Sequence, residues 1–119
     1  MTLAEILKDS DYRQSQFNII QVHEFEQKII VRNDKNGNPV PYIACAVRKK
    51  EIRLTPEEAV RQLYLEIILN DYKYPADRVE LEYAVTFGRE KKRADIVIFD
   101  KDRTTAPYII VELKKPRLK

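Results

Sequence analysis

The segment "LTPEEAVRQLYLEIILNDY", residues 54–72, leaves this chain least freedom. Thr55 suits an N-cap, Pro56 suits the first helical position, and Glu58, three residues after Thr55, completes a capping box. Val60, Leu63, Tyr64, Ile67 and Ile68 then recur at helical spacing, so the segment is predicted to be an amphipathic helix resting this stripe on a core. The cap accounts for Glu58 but not for Glu57. Three residues before Val60 and seven before Tyr64, Glu57 lies at the edge of the buried-facing stripe. Taken alone it reads as a helix-dipole carboxylate paired with Arg61 at i,i+4.

Three strands are predicted to follow the helix. After a turn at "YKYPADR", "VELEYAVTF" and "RADIVIF" form a hairpin joined at "GREKK", where Gly88 is free to adopt positive φ. On the second strand Ala94, Ile96 and Ile98 should face one way and Asp95, Val97 and Phe99 the other. "DKDRTTAP" leads to the third strand, in "PYIIVELKKP". Alternation puts Tyr108, Ile110, Glu112 and Lys114 on one of its faces and Ile109, Val111 and Leu113 on the other. An isolated Glu-x-Lys is ordinarily an ion pair at a strand end, worth about 0–1 kcal/mol. Here a second carboxylate, Asp95, stands on an otherwise apolar strand just before it.

Upstream, residues 2–10 suit a short helix, and 16–26 fits both the helical and the strand period. "KIIV" and "VPYIACAV" flank "RNDKNGNP", so strands are expected near 27–33 and 40–48 around an Asn36-Gly37 turn. The organisation expected is an N-terminal helix and hairpin extension over 1–50 and a core of one helix and three strands over 51–119, in one compact domain.

Composition narrows the chemistry. A chain of 119 residues with 44% hydrophobic and 34% charged side chains is one small globular domain. No apolar run approaches the roughly 20 residues of a membrane span, and the N-terminus has no export signal, so a cytoplasmic location is expected. Cys45 and His23 are the sole cysteine and histidine, which excludes an internal disulfide and a multi-cysteine zinc site. Any Ser-His or Cys-His chemistry would have to use His23. The net charge of +3 is small, but Arg89, Lys91, Lys92 and Arg93 cluster at a turn. Lys114, Lys115, Arg117 and Lys119 follow the last strand. A solvated turn explains any one of these cations, and no base-reading motif is visible.

The order of a helix acid, Asp95, then Glu112-x-Lys114 resembles the PD-(D/E)XK nucleases. The blocks "RLTPEEAVRQ", "YKYP", "GREKKRADIVIFD" and "YIIVELKKP" together resemble the N-terminal nuclease domain of type I restriction enzyme R subunits, over about residues 47–116. A similar module opens restriction-methylase fusions, and "MTLAEILKDSDY" looks more like those. The resemblance implies a restriction-endonuclease-like α/β fold: a mixed β-sheet flanked by helices, cut short after the Glu-x-Lys strand and carrying an extra N-terminal β-hairpin.

It further implies Asp95 and Glu112 as Mg²⁺ ligands, with Mn²⁺ able to substitute, Lys114 as the catalytic lysine, and Glu57 as the acidic residue of the family's first helix. Ala94 stands where the literal motif has proline. The function implied is metal-dependent hydrolysis of duplex DNA without sequence reading, with Arg89, Lys91, Lys92, Arg93 and Lys115 facing the DNA. The alternative is a non-catalytic DNA-binding or subunit-docking module on the same fold. Partners implied are downstream motor or methylase domains and a specificity subunit, in a prokaryotic cytoplasm. Members normally continue into another helix carrying Gln-x-x-x-Tyr and a further strand, whereas this sequence stops at Lys119 and has no Walker-type loop or methylase motif. The expectation is therefore an N-terminal piece of a larger restriction-modification protein, whose uncovered sheet face invites dimerisation.

Overall fold

Local capping decides where the first helices begin. In the computed structural model, which describes residues 1–103 and 106–113, Thr2 caps α1 (Leu3–Leu7) by accepting the Glu5 N–H at 3.2 Å. Asn18 Oδ1 accepts the Ile20 N–H at 2.7 Å and starts α2 (Ile19–Gln27), resolving the ambiguous stretch as helix. Phe25 and Val22 carry its buried side, and the Glu26 carboxylate accepts the Leu3 N–H at 2.9 Å.

Next come β1 (Ile30–Asn33), β2 (Pro39–Cys45) and β3 (Lys50–Arg53), antiparallel in the order β1-β2-β3. The expected turn is present, with Gly37 at φ 81° and Asp34 Oδ1 accepting the N–H groups of Asn36 and Asn38 at 2.8 and 2.9 Å. The expected extra hairpin is a three-stranded sheet instead. β3 is the charged tetrapeptide "KEIR", which has no apolar alternation and becomes a strand only through its pairing with Tyr42–Cys45. Two prolines are tolerated in the central strand because Pro41 points its carbonyl at the Leu54 N–H, 2.9 Å away. In an antiparallel ladder a residue's N and O face the same neighbour, so the missing donor costs β1 nothing.

α3 (Pro56–Glu66) starts where the sequence marks it: the Thr55 Oγ1 accepts the Glu58 N–H at 3.1 Å, and the Thr55 carbonyl accepts the Ala59 N–H at 2.8 Å. Val60, Leu63 and Ile68 are buried as expected, but so are Ala59, Leu65, Arg61 and Gln62. Glu57, placed by its spacing at the edge of the buried stripe, is exposed, and the neighbouring Glu58 is the buried carboxylate.

The chain forms two compact units, the first from Met1–Cys45 and Lys49–Leu63, the second from Ala46–Arg48 and the described residues from Tyr64 onward. In the second, α3 runs on into a π-helical turn (Ile67–Asp71) and a 3-10 turn (Ala76–Arg78). β4 (Val79–Phe87), β5 (Glu90–Phe99) and β6 (Pro107–Val111) follow, antiparallel in the order β4-β5-β6. Where a mixed sheet was expected, the described residues form two small antiparallel sheets. The β4–β5 loop is two residues and the β5–β6 connection seven, each shorter than a parallel crossover requires.

One expectation about β5 fails at its middle. Simple alternation separates Ala94 from Val97 and Phe99, yet these three form one buried cluster with Val85 packed on it. The Tyr83 ring also meets Phe99 edge-on, with centroids 5.1 Å apart. The break coincides with Glu82, which holds a left-handed φ of 52° inside β4 and leaves the ladder without a pair between Leu81↔Ile96 and Tyr83↔Ala94. A kink there turns the outer half of the hairpin so that Tyr83, Val85 and Ala94 join the side of Val97 and Phe99.

Candidate metal and nucleic-acid site

Asp95 sits on β5, half-buried, at the level of this kink. β5 pairs with β6 as Ile96↔Val111, Val97↔Ile110 and Ile98↔Ile109, so the next step of the same register sets Asp95 opposite Glu112. Opposite residues of an antiparallel pair carry Cβ atoms roughly 4.5–5.5 Å apart on one face. Beyond Val111 the ladder gives way to a side chain: Asp95 Oδ2 accepts the Leu113 N–H at 2.8 Å. That bond ties the Asp95 side chain to the Leu113 backbone, two residues past the end of β6. Glu112 itself is exposed just past the strand end, as are Ile110 and Tyr108, while Ile109 and Val111 are half-buried, matching the expected alternation of β6.

The remaining residues singled out in the sequence fall elsewhere. Glu57 stands in the first unit, at the first turn of α3, beside an open depression of about 420 Å³ that it lines with Asp9, Asp11 and Tyr12. Its expected partner Arg61 is there at 3.7 Å, but Arg61 Nη1 makes a shorter bond, 2.8 Å, to Glu58. Gln62 Nε2 donates to the other Glu58 oxygen at 3.2 Å. This buried polar set was missed in the sequence because the capping box already explained Glu58; its signal was the spacing of Arg61 and Gln62 at i+3 and i+4. Lys114 and Lys115 lie outside the described residues, as do Arg117 and Lys119.

Arg89, Lys91, Lys92 and Arg93 are exposed around a two-residue turn in which Gly88 has φ 60°. Glu82 is bound by Arg48, whose Nη2 donates to Oε2 at 3.2 Å. His23 is exposed and bonded to Gln27 at 2.8 Å, and Cys45 is buried on β2.

The donors that the register unites are two carboxylates, and among the described residues no set of three His, Cys, Asp or Glu side chains could hold a metal. Such a donor set fits a hard cation of the Mg²⁺ type, which takes one or two carboxylates and fills its other positions with water and phosphate oxygens. No helix is long and apolar enough to cross a membrane among the described residues.

No curated protein and no solved structure matches the chain. Residues 56–119 match the family described as Type I restriction enzyme R protein N terminus (HSDR_N). That span covers α3, all of the second sheet and the Asp95–Glu112 pair, and it is more than half of the 119 residues. On that match, the chain belongs to the family of type I restriction enzyme R protein N-terminal domains.

Proposed function

We propose that this chain is the Mg²⁺-dependent nuclease domain of a type I-like restriction-modification enzyme, with a PD-(D/E)XK arrangement that hydrolyses DNA phosphodiester bonds and leaves sequence reading to another part of the assembly. The observation that carries the reading is the β5–β6 register, whose continuation one step past Ile96↔Val111 would set Asp95 opposite Glu112, together with the bond from the Leu113 N–H to Asp95. Asp95 and Glu112 would hold the cation, with Mn²⁺ able to replace Mg²⁺. When bound, the ion supplies Lewis-acid polarisation of a phosphoryl oxygen and a more acidic water. Lys114 orients the attacking water or offsets charge growing on the phosphate. The part of Glu57 rests on its match to the family's helix acid. Cations drawn from the β4–β5 cluster, with Lys115, attract the duplex backbone without reading bases. In the parent enzyme the expected neighbours are motor or methylase domains and a specificity subunit.

Thermal melts test the reading. Two carboxylates held together without a cation repel, so Asp95→Asn and Glu112→Gln should be neutral or stabilising in EDTA. Asparagine at position 95 retains an oxygen acceptor for the Leu113 N–H, so the first variant removes charge and keeps the bond. Excess Mg²⁺ or Mn²⁺ should raise the wild-type melting temperature, by the equivalent of about 2.7 kcal/mol at one hundred times Kd, and raise either variant less. Strong destabilisation of both variants in EDTA, with no metal effect on the wild type, would leave the non-catalytic module as the reading.

A further inference from the structure

The kink at Glu82 sorts the four cations of the β4–β5 hairpin into different positions. Beyond it the ladder is regular, pairing Ala84↔Arg93, Val85↔Lys92 and Thr86↔Lys91. One face of this ribbon holds Tyr83, Val85, Lys92 and Ala94: Val85 packs on the Ala94, Val97 and Phe99 cluster and Tyr83 meets Phe99, while Lys92 is exposed. The other holds Ala84, Thr86, Lys91 and Arg93, all exposed. The residues opposite its two cations are Ala84 and Thr86, so neither faces an acid across the ladder, and among the described residues neither makes an ion pair.

We propose that this outer face of the β4–β5 ribbon, through Lys91 and Arg93, is the surface that tracks the phosphate backbone of duplex DNA, and that Lys92 takes no part in it. The proposal rests on the nuclease reading above and assigns the contact to two residues of the basic cluster. The chemistry is charge complementarity: small side chains at Ala84 and Thr86 leave room for a sugar-phosphate chain to lie on the ribbon, and the two cations stand two residues apart along one strand, about 7 Å. Lys92 is paired with Val85 on the opposite face of the ribbon, so alternation sends its side chain away from that surface.

Each phosphate contact contributes about −0.9 to the slope of log K against log salt, which at 0.1 M salt corresponds to about eightfold in affinity. Binding of this chain to a duplex of arbitrary sequence, titrated with salt in EDTA, should therefore weaken about eightfold at 0.1 M for Lys91→Ala and for Arg93→Ala, with the slope shallower by about 1 in each. Lys92→Ala should change affinity less than twofold and leave the slope unaltered. Equal losses for all three variants, or the largest loss at Lys92, would overturn the assignment in favour of a diffuse positive field. Failure of the nuclease reading looks different: it would appear as loss of the metal-dependent stabilisation by Asp95 and Glu112, whatever the lysine variants do. Melting temperatures within a degree or so of wild type for the three exposed substitutions establish that the fold is intact.

Discussion

In the full-length parent protein, Asp95→Ala is expected to lower Mg²⁺-dependent cleavage of duplex DNA by on the order of a thousandfold, with motor or methylase activity unchanged. The same outcome is expected for Glu112→Ala and for Lys114→Ala. Besides its proposed charge role, the Asp95 carboxylate accepts the Leu113 N–H, next in the chain to Glu112. Asp95→Asn separates the two roles, because it preserves an acceptor and removes the charge. Loss of cleavage as deep in Asp95→Asn as in Asp95→Ala assigns the effect to charge; recovery in Asp95→Asn assigns it to the position of the strand end. Cleavage at the wild-type rate by any two of the three alanine variants, in a gel assay of linear duplex, contradicts the proposed site.

The largest loss of stability is expected in the other unit, at Glu58. Its side chain is 11% exposed and that of Arg61 5%, and the two meet at 2.8 Å. Removing one member of a buried ion pair costs up to roughly 3–5 kcal/mol, a large part of the 5–15 kcal/mol that holds a small domain folded, and Glu57, 3.7 Å from Arg61 and exposed, offsets only part of it. Glu58→Ala should therefore lower the urea midpoint sharply. Glu58→Leu combined with Arg61→Met removes both charges and keeps the volume, so it should recover much of that loss. A single variant within about 1 kcal/mol of wild type would mean that water reaches the pair and screens it.

What the sequence made legible was local. Thr55 and Pro56 announced α3 because a cap and its helix lie within four residues, and Asn36-Gly37 and Gly88 announced hairpins because positive φ selects those residue types. The alternation of β6, with Tyr108, Ile110 and Glu112 on its exposed side, followed from the two-residue period of a strand. β3 escaped because "KEIR" owes its strand state to β2 and not to its own pattern. The kink escaped because a glutamate gives no sign of a left-handed φ, and such strain persists only where surrounding structure imposes it. Glu58 escaped because its burial depends on the rest of the unit, whereas the capping box can be read from four residues.

Every described strand pairs with the strand before or after it in the chain, so both sheets are meanders. Such local pairing favours rapid folding and lets each sheet assemble in the order in which it is made. The contact between Asp95 and Leu113 spans 18 residues, so at roughly 5–20 residues per second a ribosome needs about 1–4 s to deliver the second partner after the first. During that interval the nascent chain carries its exposed basic ribbon without the opposed carboxylates. Under the proposed function, order of synthesis alone would complete the phosphate-contacting ribbon before the proposed cleavage site.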